Sequence, residues 1–308
     1  MDQLKLQEYD EQRQSIYDAT KGKFKAGLIM IGIGAVVLLI GIIFGGDQKN
    51  AFIVLPGFAV LFIGALILAS VSTKRQRFLN EFKAKFFDQL IKDLYDNYTY
   101  DAKNGLPLSD IMEPGFFKSP DRYDTYDRLA STFEGVPFEM SGFDLRERHE
   151  STDSQGHTTV DYVTYAKGKM IIIDFKRDIM DTVKVLETKF LGADTSGLHK
   201  IETESIEFNK KFKTYTSNDL TTFYLLTPQI QLKLLELEQK FRGSIFFAFY
   251  KGKFYVAIND NNDTLTIDLK KSLMGEQMDL LISELSIPAA VIKELKLSGD
   301  KFNSDMKY

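Results

Sequence analysis

The sequence predicts an α+β protein: an N-terminal transmembrane helical hairpin, a helical stalk, and a cytosolic domain of mixed sheet and helix. Two uncharged apolar runs, Ala26–Gly46 and Ala51–Ser72, predict the hairpin, with only a short polar segment between them. Each run has the roughly 20 residues that a helix needs to cross about 30 Å of hydrocarbon. Strand and helix patterns then alternate without repeated βαβ units, which favours α+β.

Basic residues flank the outer ends of the two runs. They are Lys21, Lys23 and Lys25 before the first run and Lys74, Arg75 and Arg77 after the second. Since basic residues stay on the cytosolic side, this pattern predicts the inner (plasma) membrane with both termini cytosolic. A cleavable signal peptide fits poorly, because about 20 mixed-charge residues precede the first run. Buried helices of a soluble protein are the other alternative.

Glycines recur at heptad spacing within the runs and predict close helix packing. The residues concerned are Gly27, Gly34, Gly41, Gly45, Gly57 and Gly64. Small residues on one stripe let two helix backbones approach closely in lipid. The stripe has two interpretations, packing of the two helices within one hairpin and oligomerisation of hairpins, and the sequence leaves both open. Ala65 and Ala69 form a further small-xxx-small pair.

The remaining chain divides by composition. The predicted organisation is an amphipathic cytosolic segment over 1–25, the hairpin over 26–72, a stalk helix over 73–100, a connecting segment over 101–122 and the α+β domain over 123–308. The stalk carries an apolar stripe at helical spacing that we expect to pack on the domain. Its alternatives are the N-terminal helix and a sister subunit.

Within the domain, the first elements are predicted from apolar spacing. Tyr126, Leu129 and Phe133 predict a short helix after Tyr123. Alternation or continuous apolar character predicts strands over Val136–Arg148, Thr158–Tyr165 and Lys169–Phe175, with a turn at Ala166–Lys169 and a polar hairpin tip over Arg146–Thr159. Extended chain is expected from Ile206 to Tyr215.

The C-terminal half gives clearer signals. Thr227-Pro228 predicts the start of a helix within Asp219–Phe241. Lys251-Gly252 predicts the turn of a hairpin over Ser244–Ile258. A strand over Thr264–Leu269 and two helices over 272–286 and 288–296 complete the prediction.

The candidate ligand residues are few. His149 and His157 lie among acidic residues, and Glu202 and Glu204 would share one face of a strand, so these four form the candidate ligand site. Their spacing matches no metal-ligand pattern, and no nucleotide or nucleophile motif occurs, so we expect no metal, cofactor or catalytic residue. The absence of cysteine excludes disulfides and thiolate chemistry. A net charge of −4 without a basic stripe in the domain argues against nucleic acid.

One stretch carries a resemblance. Ile201–Tyr215, followed by Phe223-Tyr224-Leu225-Leu226-Thr227-Pro228, resembles an uncharacterised bacterial family of two-span membrane proteins known only as a domain of unknown function. The resemblance implies two spans, a stalk and a cytosolic domain, and a LemA-type membrane protein as a candidate partner. It implies no activity and no catalytic residues.

Three functions remain open from the sequence. The leading hypothesis is a non-enzymatic scaffold or partner-binding protein that homo-oligomerises through its spans and stalk. The second is a membrane-surface enzyme or ligand sensor, with its site at the four candidate ligand residues. The third is an oligomeric channel or transporter, which the absence of ionisable residues in the spans disfavours.

Overall fold

The computed structural model describes residues 3–44, 50–152, 155–174, 179–189, 192–299 and 302. The chain forms two compact units. Unit 1 contains Met1–Phe86 and Ile267–Leu280, and unit 2 contains Phe87–Thr266 and Leu281–Tyr308. The chain therefore passes from one unit to the other three times.

Two long helices dominate unit 1. They are α1 (Gln3–Phe44) and α2 (Asn50–Lys92), of which α2 continues into the first residues of unit 2. Both are long and apolar enough to span a membrane, and only 17% of the apolar window of each is buried. A core helix of a soluble protein would bury most of that window, so this exposure favours spans.

α1 and α2 pack along a seven-residue repeat. Buried positions on α1 recur at this spacing as Arg13, Thr20, Gly27, Gly34 and Gly41, and on α2 as Gly57, Gly64 and Val71. A sustained seven-residue repeat keeps one seam of each helix facing its partner. The same seam thus runs through the glycines and on into the polar N-terminal half of α1. The segment predicted to be a separate amphipathic stretch, 1–25, is described from residue 3, and residues 3–25 form the first part of α1.

The first turns of α1 hold the segment Ile267–Leu280. Asp10 accepts hydrogen bonds from the backbone N–H of Leu273 (2.7 Å) and the hydroxyl of Ser272 (3.0 Å). Arg13 Nε donates to Asp10 at 2.7 Å, and a terminal nitrogen of Arg13 donates to the carbonyl of Leu269. Arg13 is only 3% exposed and Asp10 is half-buried, so this node is a partly buried ion pair with further hydrogen bonds to the backbone of Ile267–Leu280.

Unit 2 is built on one antiparallel sheet. Its strands are β1 (Tyr98–Asp101), β2 (Arg122–Phe133), β3 (Val136–Thr152), β4 (Thr158–Asp174), β5 (Val183–Glu187), β6 (His199–Ile201), β7 (Phe212–Thr216), β8 (Ser244–Tyr250) and β9 (Lys253–Asn259). Their spatial order is β1-β2-β3-β4-β9-β8-β5-β7-β6. The α+β prediction is confirmed.

The other helices are short. They are α3 (Leu108–Met112), α4 (Ile206–Lys211), α5 (Asp219–Leu225), α6 (Pro228–Lys240), α7 (Glu276–Leu285) and α8 (Ile287–Glu294). Thr227 is the N-cap residue of α6 with Pro228 in its first turn, as predicted. The hairpin of β8 and β9 turns at Lys251 and Gly252, both at positive φ, also as predicted.

Both faces of the central strands are buried. Phe116 and Phe117 pack on one face, where Phe246 points. On the other face, Phe247 stacks with Phe254 at 6.0 Å between ring centroids. Because neither face meets water, β8 reads as a continuous apolar run rather than an alternating one.

The predicted helix after Tyr123 is wrong, since these residues form β2. Strands β2 and β3 shift register between Tyr126 and Leu129, and Asp127 there has φ 55°. An extra residue at a bulge moves the inward positions along the chain by one. Tyr126, Leu129 and Phe133 thereby acquire a spacing that imitates a helix.

The predicted turn at Ala166–Lys169 is also wrong, because β4 runs through it. A Cβ on Gly168 would lie 1.9 Å from the carbonyl oxygen of Ile258 on β9. Glycine is needed here for a close approach of two backbones, not for a turn.

Helix α2 ends at Lys92, so the predicted stalk to residue 100 is too long, and Tyr98–Asp101 form a strand instead. The apolar side of the C-terminal part of α2, the predicted stalk, makes two sets of contacts. Phe82 and Phe86 meet Tyr9 of α1 edge to face at 5.4 and 5.3 Å, which corresponds to the N-terminal-helix alternative. Phe87 meets Tyr100 within unit 2 at 5.7 Å.

Three further segments differ from the prediction. The expected connection 101–122 contains α3, and its Leu106 and Phe116 belong to the core. The expected extended chain after Ile206 begins as α4, because Ser205 accepts a hydrogen bond from the Phe208 N–H and caps it. No strand forms over Thr264–Leu269.

Candidate functional site

The two histidines of the predicted ligand site lie on the outer part of the β3–β4 hairpin. His149 is on β3 opposite Asp161 of β4, with its Nε2 3.8 Å from a carboxylate oxygen of Glu147. The strands extend to Thr152 and from Thr158, so His149 lies in a strand and not in a loop. His149 and His157 are both exposed.

The two glutamates are exposed as well. Glu202 and Glu204 follow β6 in a segment without regular structure, so the prediction that they share one face of a strand is wrong. Glu202 pairs with Lys200 at 3.1 Å. In the described ranges of the chain, no three His, Asp or Glu side chains are grouped so as to hold a metal ion. As placed, these residues are solvated surface groups.

The glycine stripe lies between α1 and α2. A Cβ on Gly34 would lie 2.7 Å from Leu61 Cγ, and one on Gly57 would lie 2.9 Å from Leu38 Cδ2. A Cβ on Gly27 would likewise meet Leu68 at 2.8 Å. This is the geometry of packing within one hairpin. Gly41 is also buried, whereas Gly45 lies outside the described residues.

Other small residues face outward. Ala65 and Ala69 are exposed, and a Cβ on Gly32 would meet no heavy atom within 4 Å. Large apolar side chains on both helices are exposed as well, among them Ile42 (70%) and Phe62 (66%). The outer surface of the hairpin is thus apolar, as a lipid-facing surface requires.

A cleft of about 200 Å³ opens on unit 2. Its lining combines apolar side chains with three carboxylates and one ammonium group: Asp110, Ala130, Ser131, Pro137, Phe138, Glu139, Ile172, Asp174 and Lys253. Glu139 pairs with Arg128 at 2.8 Å. With Glu139 paired to Arg128, the carboxylates of Asp110 and Asp174 exceed the one ammonium group of Lys253, so the cleft carries a small net negative charge that favours a cationic ligand.

Next to the β8–β9 turn, Glu113 is held by two donors. The hydroxyl of Tyr255 donates to Glu113 Oε2 at 2.6 Å, and Lys251 Nζ lies 3.4 Å from Oε1. The hydrogen bond from Tyr255 lowers the pKa of Glu113 and outweighs the opposing effect of burial, and Lys251 lowers it further by a smaller amount. The pKa of the Tyr255 hydroxyl is raised by burial and by the carboxylate. The cluster fixes the residue after α3 to the hairpin.

The outer face of α5 is apolar and exposed. Leu220 is 81% exposed, Phe223 48% and Tyr224 42%, and their spacing places them on one side of the helix. Thr222 and Leu225 occupy the buried side. Helix α5 therefore has a buried side and a second, exposed side that also carries apolar residues. Contiguous exposed apolar groups of this kind mark interaction surfaces.

Basic residues flank the apolar segments at the end of the hairpin away from the α1–α2 connection. Lys21, Lys23 and Lys25 on α1 and Lys74 and Arg77 on α2 are exposed. Arg75 differs from them, because its Nε donates to Thr20 Oγ1 at 2.8 Å and its guanidinium lies 4.9 Å from the centre of the Phe24 ring.

Comparison with known proteins places only part of this chain. Residues 164–297 match a family model described as "Protein of unknown function (DUF3137)". The match covers β4 through α8 and supports an uncharacterised family. No curated protein matches the chain.

Among solved structures, the chain is similar to the mycobacterial trehalose monomycolate transport factor A, TtfA. The identity is 7%, the TM-score 0.36, and the alignment covers 65% of this chain and 87% of that one. A likeness of this size supports no conclusion about fold or function.

Sequence reasoning missed the face of α5 and the cleft. The signal for the first was present, since Leu220, Phe223 and Tyr224 are apolar at helical spacing beside a second apolar side. No signal existed for the cleft, because its lining comes from α3 and four strands that only the sheet brings together.

Proposed function

We propose that this chain is a non-enzymatic protein anchored in the cytoplasmic membrane by α1 and α2, with both termini and unit 2 in the cytosol, and that unit 2 binds a partner protein. The exposed apolar face of α5 carries the proposal. It presents Leu220 (81% exposed) and Phe223 (48% exposed) to the outside of the domain, and large apolar side chains of this kind anchor protein interfaces. The basic flanks of the spans support the orientation.

Two partners are proposed first: a LemA-type membrane protein and a second copy of this chain. Nucleic acid is not proposed, because the sequence has no long basic stripe away from the flanks of the two apolar runs. Since Gly27, Gly34, Gly57 and Gly64 pack within the hairpin, a homo-oligomer would form through other surfaces, among them the face of α5.

The test places a photo-crosslinking amino acid at Leu220 in the full-length chain, in membranes that also contain a tagged LemA-type protein and a tagged second copy. Met180, 73% exposed on a loop, is the matched control position. We expect crosslinks to one tagged partner from position 220 and not from 180, and we expect Phe223→Ser to abolish them. Equal crosslinking from the two positions, or none from 220, would refute the proposal.

The alternative function is a ligand sensor or enzyme at the membrane surface. The acidic cleft beside Asp110 and Asp174 favours it more than His149 or Glu202, which are exposed surface groups. Binding of a cationic ligand that Asp174→Asn abolishes would favour this alternative. The channel alternative gains no support, because the outward side chains of both spans are apolar.

A further inference from the structure

Arg75 stands at the depth of the lipid headgroups if α1 and α2 span the membrane. The uncharged run of α2 ends at Ser72, so Arg75 lies three residues beyond it, about 4.5 Å along the helix axis. The headgroup region occupies roughly 5–7 Å on each side of the hydrocarbon. This location rests on the membrane insertion proposed above.

The guanidinium of Arg75 is held in place by two neighbours on α1. Thr20 is 1% exposed, and its hydroxyl donates to the carbonyl of Ile16 at 2.7 Å, which leaves its oxygen to accept from Arg75 Nε at 2.8 Å. The ring of Phe24 lies against the guanidinium at 4.9 Å. Both contacts orient the charge without neutralising it.

The charge of Arg75 is not balanced by a carboxylate within the described part of the chain. By contrast, Lys21 on α1 pairs with Asp18 at 2.6 Å. The terminal nitrogens of Arg75 form no hydrogen bond among the described residues, so the planar fork keeps its donors for an external acceptor. An orienting contact of this kind reduces the entropy lost when a ligand binds.

We propose that Arg75, positioned by Thr20 and Phe24, binds the phosphate of an anionic glycerophospholipid at the cytosolic end of the hairpin. A guanidinium fork matches the oxygens of a phosphate in a bidentate geometry. The exposed lysines on α1 and Arg77 add a net positive field that selects an anionic headgroup over a zwitterionic one. Arg75 supplies the specific contact, and its neighbours supply the charge preference.

The test counts lipids retained by the full-length protein in native mass spectrometry, after exchange from detergent with phosphatidylglycerol or phosphatidylcholine. Arg75→Gln is compared with Arg77→Gln, which removes the same charge from an exposed position two residues away. We expect a preference for phosphatidylglycerol that falls at least ten-fold in Arg75→Gln and about five-fold at most in Arg77→Gln. Equal losses would overturn the specific role of Arg75.

Two further variants test whether the hydrogen bond between Thr20 and Arg75 positions the guanidinium. Thr20→Val removes the acceptor but keeps the guanidinium, and Thr20→Ser keeps the hydroxyl. We expect lower retention only in Thr20→Val, and unchanged retention there would overturn the positioning role. Inorganic phosphate at 10-fold excess over the lipid should not compete, and full competition would assign the site to a soluble anion. Flotation of each variant with phosphatidylcholine vesicles reports insertion separately, so a failure to insert is distinguished from a failure to bind.

Discussion

Replacing Gly34 by alanine should loosen the hairpin of α1 and α2, whereas the same change at Gly32 should not. A Cβ on Gly34 would lie 2.7 Å from Leu61 Cγ and 2.8 Å from the backbone nitrogen of Leu61. A Cβ on Gly32 would meet no heavy atom within 4 Å. The side chain of Leu61 can rotate, but its backbone nitrogen cannot, so the two helices must move apart.

The expected loss of stability follows from comparing Gly34→Ala with Gly32→Ala. Both substitutions gain the same helix propensity of about 1 kcal/mol, because glycine is replaced by alanine within one helix. The difference between the two variants is therefore the overpacking cost at Gly34, about 1–3 kcal/mol of unfolding free energy. Gly32→Ala should be at least as stable as the parent.

The assay is unfolding of the full-length protein by SDS titration from a mild detergent, followed by circular dichroism. Because the chain contains no cysteine, Leu28→Cys and Leu66→Cys can carry spin labels without background, and both positions are about half exposed. We expect a lower midpoint and a longer interspin distance for Gly34→Ala only. Equal midpoints and distances for the two alanine variants would refute the packing argument.

Two other predictions concern buried ion pairs and hydrogen bonds. Tyr255→Phe removes a donor to Glu113 and should lower the stability of unit 2 by about 1.5–3 kcal/mol in urea unfolding at pH 7. Because the pKa of Glu113 is lowered in the folded protein, this carboxylate stabilises the fold above pH 4.5, its ordinary pKa, and that stability is lost as the pH falls through the lowered pKa. Tyr255→Phe should therefore lose less stability than the parent on acidification. An acid dependence equal to that of the parent would contradict this assignment. Arg13→Gln should weaken the node around Asp10 by about 3 kcal/mol, read as lost hydrogen-exchange protection of the Leu273 amide. Burial alone would raise the pKa of Asp10, but its hydrogen bonds lower the pKa below 3.8. In the parent protein, protection of the Leu273 amide should therefore also decline as the pH falls below 3.8. A protection factor that does not change with pH would argue against the hydrogen bond between Asp10 and Leu273.

The parts of the fold that sequence patterns predicted are those with one dominant local cause. Lipid requires long uncharged helices, Thr227-Pro228 fixes a helix start, and Lys251-Gly252 supplies the two positive φ angles of a tight turn. The errors arose where a distant contact decided the local structure. Gly168 serves the approach of Ile258, and the bulge at Asp127 shifts the pattern of β2.

The candidate site was harder to predict for the same reason. His149 and Glu202 were selected because polar residues cluster near them in sequence, yet each lies exposed on the surface. Thr20 and Arg75 are 55 residues apart, and only the antiparallel packing of α1 and α2 brings their side chains within hydrogen-bond distance. Spacing along the chain carries no information about such a pair.

The composition of unit 1 sets an order for biosynthesis. Asp10 and Arg13 are synthesised before α2, but their partners Leu269, Ser272 and Leu273 are synthesised roughly 185 residues after Phe86. At a translation rate of roughly 5–20 residues per second, these partners are synthesised about 10–40 s after the helical hairpin. The charged turn of α1 is therefore accessible to chaperones, lipids or other chains until Leu269, Ser272 and Leu273 have been synthesised and can form these contacts.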